Sequence, residues 1–398
     1  MAERRRHIVS LGVVHRLEAN QVTAFTHRDR LRTALNHGIP DRVPIDLGGS
    51  YATGINVQAY DAWKAHLGLD TPTVVASRRS QIAWVEEPLR QRFGIDTWAV
   101  LPRAPRNPPE ELFHDGSYRD EWGVLRSRPP GGHYYVSGEP FAAECTLDTL
   151  ARYSWPNLDD PGYVEGLRAE ALQGRQAGYA VVLCLPVGFL HQATFMRGME
   201  NLFVDMLRNR RVAESLLDHI LDIQSAVTAR MLEVAGDLAD VVMFADDLGT
   251  HDRTMLSPAL YRSLIKPRQR RYLDLIHSKT QAKVVYHTCG AIYPLIGDLI
   301  EVGVDVLNPV QVSAMGMDPA RLKREFGRDL CFWGGIDVAR VLPHGTPEEV
   351  RGTVERMIAT LGPEGYVVSA TNNIQADTSP ENITAMLDAA TPAGGCTS

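Results

Sequence analysis

Eight short runs rich in β-branched and apolar residues constrain this chain more than any other feature: each is bounded by Gly, Pro, Asn or Asp and followed by a longer stretch of helical periodicity. They are Val43 to Asp46, Thr97 to Leu101, Ala180 to Leu185, Asp240 to Phe244, Lys283 to His287, Val304 to Leu307, Leu330 to Trp333 and Tyr366 to Ala370. Strand and helix in alternation predict parallel strands joined by right-handed crossovers. The common closed solution for eight such units is the α/β fold called the (β/α)8 TIM-type barrel, and an open doubly wound sheet is its competitor. Barrels with insertions reach 398 residues as one unit. The expected organisation is an N-terminal extension over 1–24, a barrel domain over 25–390 and a flexible tail over 391–398.

Helix starts are marked by caps. Ser257-Pro258 opens an amphipathic stretch running to Ser278, Thr346-Pro347-Glu348-Glu349 opens another with acids in its first turn, and Ser379-Pro380-Glu381 repeats the device. Residues 103–158 break the alternation with Pro, Gly and the aromatics Trp122, Tyr134 and Tyr135, and they predict an antiparallel hairpin insertion over the barrel mouth.

Composition narrows the function. Hydrophobic residues at 44% and charged residues at 22% match a folded globular chain, which removes disordered and fibrous classes. A net charge of −7, with no basic face carrying interleaved aromatics, argues against nucleic acid and for a small-molecule or protein partner. No apolar run approaches the roughly 18 to 20 residues of a membrane span. The basic start, Met1 to Arg6, leads into a segment broken by His15, Arg16, Glu18 and Asn20, which is no signal-peptide core, so a cytoplasmic location is expected. Cys145, Cys184, Cys289, Cys331 and Cys396 are odd in number and scattered, as in a reducing compartment.

In a barrel, reactive groups sit where the strands end. That rule selects Asp46, Pro186, Gly188, Asp246, Asp247, His287, Cys289, Asn308, Gly334, Gly335, Asp337, Asn372, Asn373 and Gln375. His287 and Cys289 are two apart, so in extended backbone their side chains share a face, as two ligands of one metal require, and imidazole with thiolate suits Zn²⁺. The alternative is a histidine that caps the strand beside a small buried cysteine. Asp246 and Asp247 are placed to hold a metal, orient a histidine or accept a proton, or else one of them caps the loop before Gly249. Asp46, ahead of Gly48-Gly49, serves either a ligand or a turn. Cys184 and Cys331 fall among apolar strand residues and read as core, Cys396 as a tail thiol, and Cys145 has no spacing partner. His191 and His251 follow rim strands and could enter the site, although loop histidines are more often solvated.

At these residues the chain resembles the uroporphyrinogen decarboxylase superfamily, and more closely its branch of zinc-dependent methyltransferases that serve corrinoid proteins. The matching pieces come in order from Arg28 to Ala389. They are Arg28-Asp29-Arg30-Leu31 with Ala34-Leu35-Asn36-His37, Pro40-Asp41-Arg42-Val43-Pro44, Asp246-Asp247-Leu248-Gly249 and Tyr286-His287-Thr288-Cys289-Gly290. Leu307-Asn308-Pro309-Val310-Gln311, Trp333-Gly334-Gly335-Ile336-Asp337, Asn373-Ile374-Gln375 and Pro380-Glu381-Asn382 complete them. The resemblance implies the barrel, with zinc on His287, Cys289 and a third ligand. In those methyltransferases the third ligand is typically a cysteine on the last strand, whereas Ser369-Ala370-Thr371-Asn372-Asn373 offers none here. Asn372 stands near that place, and an amide oxygen is a weak zinc ligand, so Asp246, Asp247 or another rim group would complete the set.

The activity so implied is zinc-assisted methyl transfer between a methyl-corrinoid protein and a small acceptor, a thiol or similar. Asp246, Asp247 and Asp46 are its expected catalytic groups, with Asn308, Gly334, Asp337, Asn372, Asn373 and Gln375 on the substrate. One rival is a metal-free lyase acting on a carboxylated pyrrolic or aromatic substrate, with Asp46 and Asp246 or Asp247 moving protons. The cationic run that decarboxylases of the family carry after the first strand is absent from Leu47-Gly48-Gly49-Ser50. A second rival is a non-catalytic protein that binds a tetrapyrrole or corrinoid.

Overall fold

A computed structural model describes residues 25–107 and 109–391. The expected extension over 1–24, the tail beyond Thr391 and Cys396 lie outside the described residues. Seven parallel strands follow one another around the sheet in chain order: β1 (Thr97–Val100), β2 (Ala180–Cys184), β3 (Val241–Ala245), β4 (Lys283–His287), β5 (Val306–Asn308), β6 (Cys331–Trp333) and β7 (Tyr366–Val367). The first predicted run fills the remaining place. Asp46 N donates to Val368 O at 2.9 Å, Val368 N to Pro44 O at 2.9 Å, and Asp96 N to Ile45 O at 2.8 Å. Pro44–Asp46 thereby touches both edges of the sheet and closes the ring, so the barrel is the outcome and the open doubly wound sheet is not.

The strand sequences explain why both of their faces are covered. Every residue of β2 and β3 is buried, as expected of strands enclosed by helices outside and by one another inside. Alternation divides them. Val182, Cys184, Met243, Val285, Val306 and Trp333 pack inside the ring. Val181, Leu183, Val242, Phe244, Val284 and Tyr286 pack under the helices. Burying one such aliphatic side chain is worth about 1.5–3 kcal/mol, so a slip of one residue would reverse every assignment at large cost. Cys184 and Cys331 are interior packing residues, as their strand context predicts.

Several boundaries shift by a residue or two, and for some the local reason is visible. The run at Val304 becomes strand two residues later, at Val306, because Val304 N closes the turn after helix Ile296–Val302 by donating to Leu299 O at 3.1 Å, while Asp305 N reaches Val284 O. The last run shortens to Tyr366–Val367, with Val368 and Ala370 in isolated bridges to Ile45 and Ile336. The stretch opened by Ser257 ends at Lys279 and contains a wide turn over Tyr261–Ile265. Pro267, just beyond, has no N–H for the carbonyl of Ser263, and Arg210 Nη2 donates to that carbonyl instead, at 3.1 Å.

The insertion is larger than the hairpin expected. Glu111–Leu112, Tyr118–Arg119, Leu125–Ser127 and Tyr135–Gly138 form a four-stranded antiparallel meander. A further hairpin, Val75–Ser77 with Ile82–Ala83, precedes it. Together they roof the ends of the barrel strands: His133 joins Gln375 Oε1 at 2.8 Å and Ser80 O at 3.1 Å. Among the described residues no helix is long and apolar enough to cross a membrane.

Candidate metal centre

His287 is the last residue of β4, in register with Ala245 of β3 and Asn308 of β5. Register puts His287 and Asn308 side by side on the inner face, and Nδ1 lies 2.6 Å from Asn308 Oδ1. The other end of that amide is settled by a carbonyl: Asn308 Nδ2 donates to Trp333 O at 3.2 Å. Because the carbonyl only accepts, Oδ1 must face the histidine, and Nδ1 must carry the proton. Nε2 is left with a lone pair. It lies 3.5 Å from Cys289 Sγ, the thiol donating to it in the metal-free protein.

Period two also separates the two aspartates. Ala245 pairs with the inward His287, so Asp247 points inward and Asp246 outward. Asp247 Oδ1 accepts from Cys289 N at 2.8 Å, and its Oδ2 is 3.4 Å from His191 Nε2. Asp246 turns under the first turn of helix Phe189–Arg197, where His191 N reaches Oδ1 at 2.6 Å and Leu190 N reaches Oδ2 at 3.3 Å. A Cβ on Gly188 would lie 2.1 Å from Asp246 Oδ2, so only glycine allows this approach. Gly290, at φ +95°, lets the β4 loop lie against Gly249 of the β3 loop, which brings Cys289 to Asp247.

Asp247, His287 and Cys289 thus present one ligand atom each, all within 4.8 Å of one another, and among the described residues theirs is the grouping of this kind. A tetrahedral zinc ion with bonds of about 2.1 Å to nitrogen and 2.3 Å to sulfur holds those two atoms roughly 3.6 Å apart, close to the separation seen. Charges also suit a dication. Burial lowers the pKa of His287, against the pull of Asp247, so its imidazole is neutral as a ligand must be. Burial raises Asp247, but His191, His287 and the Cys289 amide outweigh it and hold the carboxyl well below its ordinary range. Burial and then Asp247 push the Cys289 thiol far up, a penalty that a bound cation reverses. The donor set fits zinc and leaves a fourth position open.

The remaining expected residues are placed as follows. Asn372 Nδ2 is 3.6 Å from Cys289 Sγ, at the rim of the centre. Asn373 takes Gly54 N on Oδ1 at 2.7 Å and gives Nδ2 to Tyr51 O at 3.0 Å, pinning the loop after the first strand. Gln375 holds the insertion through His133. Asp337 Oδ1 accepts from Ala339 N and Arg340 N and turns its own loop, and Gly334, at φ +98°, packs against Ala370 O and Pro309. Asp46, expected at the reacting atoms, is 0% exposed. Its Oδ1 accepts from Thr97 Oγ1 at 2.6 Å and Gly49 N at 2.9 Å, and its Oδ2 from Trp333 Nε1 at 2.8 Å. Burial raises its pKa despite those donors. It bonds the closing strand to β1 and β6 and is not brought to Asp247, His287 and Cys289.

The sequence favours a solvated loop for His191 over entry into the site. It lies instead on helix Phe189–Arg197, with Nδ1 at 3.2 Å from Ala245 O and Nε2 toward Asp247. Burial lowers its pKa but Asp247 outweighs this, and the net shift is upward. The available signal was Gly188, whose missing side chain lets that helix start directly beneath the aspartate pair.

Residues 187–392 match the uroporphyrinogen decarboxylase (URO-D) family. Among solved structures, a methyltransferase from Methanosarcina mazei is similar over 92% of this chain and 98% of its own, with a TM-score of 0.63 and 17% identity. A GH113 β-1,4-mannanase matches with a TM-score of 0.39 and 8% identity over 87% of this chain and 98% of its own. No protein of curated function matches the sequence.

Proposed function

The chain belongs to the uroporphyrinogen decarboxylase family, and we propose that it transfers a methyl group between a methyl-corrinoid protein and a small acceptor, a thiol or similar, at a zinc centre on Asp247, His287 and Cys289. The observation that carries the reading is the convergence of those three ligand atoms with the His287 tautomer already set for coordination through Nε2. When bound, zinc would stabilise the acceptor as its thiolate at neutral pH. The chain's own groups prepare the site. Asn308 fixes the imidazole, His191 and the Cys289 amide orient Asp247, and Asp246 anchors the helix that delivers His191. Asn372 directs an amide hydrogen at Cys289 Sγ, which favours negative charge on that sulfur. The corrinoid partner follows from the resemblance of the His287-Thr288-Cys289 segment to methyltransferases that serve such proteins. Asp46, sealed in the ring and bonded on both oxygens, offers no support for the metal-free lyase.

Metal analysis of protein purified without chelator tests the reading. About one zinc per chain is expected, falling to a trace in Cys289→Ala. Zinc far below that level in the unsubstituted protein, unchanged by Cys289→Ala, removes the proposal.

A further inference from the structure

Under the roof of the insertion lies a cavity of about 380 Å³ lined by Tyr51, Arg79, Tyr118, Trp122 and Gln192 among others. Most of its charges are matched. Arg78 pairs with Glu110, Arg126 with Asp120 at 2.8 Å, and Arg103 with Glu170 at 3.0 Å. Arg79 differs: among the described residues no carboxylate pairs with it, and its guanidinium lies 4.6 Å from the centre of the Phe195 ring. Two further donors are in the same condition. The Tyr51 hydroxyl and Gln192 Nε2 are buried and have no hydrogen-bond partner, an arrangement that costs about 1–3 kcal/mol for each group left unsatisfied.

The chemistry of these three groups is one-sided. Guanidinium, hydroxyl and amide NH₂ each have hydrogens left to give, and the guanidinium can only donate, so an accepting ligand is complementary, and a planar carboxylate also matches the arginine fork. Burial and the Arg126 charge lower Arg79 to about 10, so it is still cationic at neutral pH. Glu121, also in the cavity, is pushed up to about 7 by burial and by Asp120, which weakens the one other carboxyl there that lacks an arginine.

Position ties the cavity to the reaction. The helix Phe189–Arg197 carries Gln192 into the cavity and His191 to Asp247, and the His191 ring stacks on Phe195 at 5.5 Å, with Arg79 over the same ring. Arg79 also borders the neighbouring space that holds Asn372, whose amide meets Cys289.

We propose that this cavity is the subsite for a carboxylate on the small substrate, held by Arg79, Tyr51 and Gln192, so that the molecule presented to the metal centre is an organic acid. The inference rests on the function proposed above in taking the metal centre as the place where the substrate reacts; the carboxylate contact itself does not depend on it.

Calorimetric titration with two matched pairs, benzoate against benzamide and propionate against propionamide, tests it. Each acid should bind about tenfold or more tightly than its amide, the yield of one charge-assisted contact. Arg79→Met should bring the ratio close to one at unchanged melting temperature, and Arg79→Lys, which keeps the charge and loses the fork, should restore part of it. The ratio should be the same in protein stripped of metal with chelator. Equal binding within both pairs, no binding of either acid, or discrimination that survives Arg79→Met overturns the proposal. Discrimination in a protein that proves to hold no zinc overturns the metal reading alone.

Discussion

Asn308→Leu isolates the contact that decides whether His287 is ready for a metal. The substitution keeps the branched shape of a residue only 1% exposed, though with a larger side chain, and leaves two buried groups without partners, the Nδ1–H of His287 and the carbonyl of Trp333. Each orphan costs about 1–3 kcal/mol, so the metal-free variant should unfold at lower denaturant. The larger consequence concerns coordination. Without an acceptor at Nδ1 the imidazole is free to carry its proton on Nε2, the nitrogen that faces Cys289, and must give that tautomer up to bind. Loss of such a supporting contact weakens metal binding about 10–100-fold, or roughly 1.4–2.8 kcal/mol, the same size as one orphaned hydrogen bond. Competition for zinc against a chromophoric chelator, with a thermal melt in parallel, measures both effects. Asn308→Asp, which keeps an acceptor at Nδ1, is the control and should retain most of the affinity. A folded Asn308→Leu protein that holds zinc as tightly as the unsubstituted chain would refute the reasoning.

Two further outcomes follow from the aspartate pair. Gly188→Ala drives a Cβ to 2.1 Å from Asp246 Oδ2 and should destabilise the fold by about 1–3 kcal/mol in urea titration; unchanged stability would show that the helix approach has slack. Burial pushes Asp246 up to about 6, above the ordinary 3.8, so the folded state holds this proton more tightly than the unfolded one. Its stabilising contribution is therefore full below about pH 3.8 and lost as pH rises through about 6, a change of roughly 3 kcal/mol. Metal-free protein should lose stability across that window relative to Asp246→Asn, and parallel curves for the two would contradict the assignment.

Much of this architecture is legible in the chain because period and punctuation act locally. The eight runs lie on the eight staves of the ring, and spacing by two brings His287 and Cys289 to one place even though β4 itself stops at His287. The same alternation, once β4 is laid in register beside β3, picks Asp247 over Asp246, but register is a property of paired strands and no single segment states it. Asp46 shows the limit from the other side. It has the look of a rim carboxylate, and its partners Thr97 and Trp333 are 51 and 287 residues away, so nothing nearby reveals that both oxygens are already bonded. The hairpin Val75–Ser77 with Ile82–Ala83 escaped because its second strand is too short to show any period. The third donor of the metal set was legible only as Asp246, Asp247 or another rim group, and the choice among them waited on the meeting of the β3 and β4 loops at Gly249 and Gly290.

The Asp46–Trp333 contact also bears on how the protein is made. The ribosome adds about 5–20 residues each second, so the 287 positions between the two partners take roughly 15–60 s to appear. Throughout that interval the strand that will seal the ring waits for its far neighbour, and the sheet growing from β1 keeps a raw edge exposed to other chains. Nascent protein is thus most exposed to aggregation before β6 and β7 emerge, and a pause in synthesis anywhere between the first strand and β7 would lengthen that exposure.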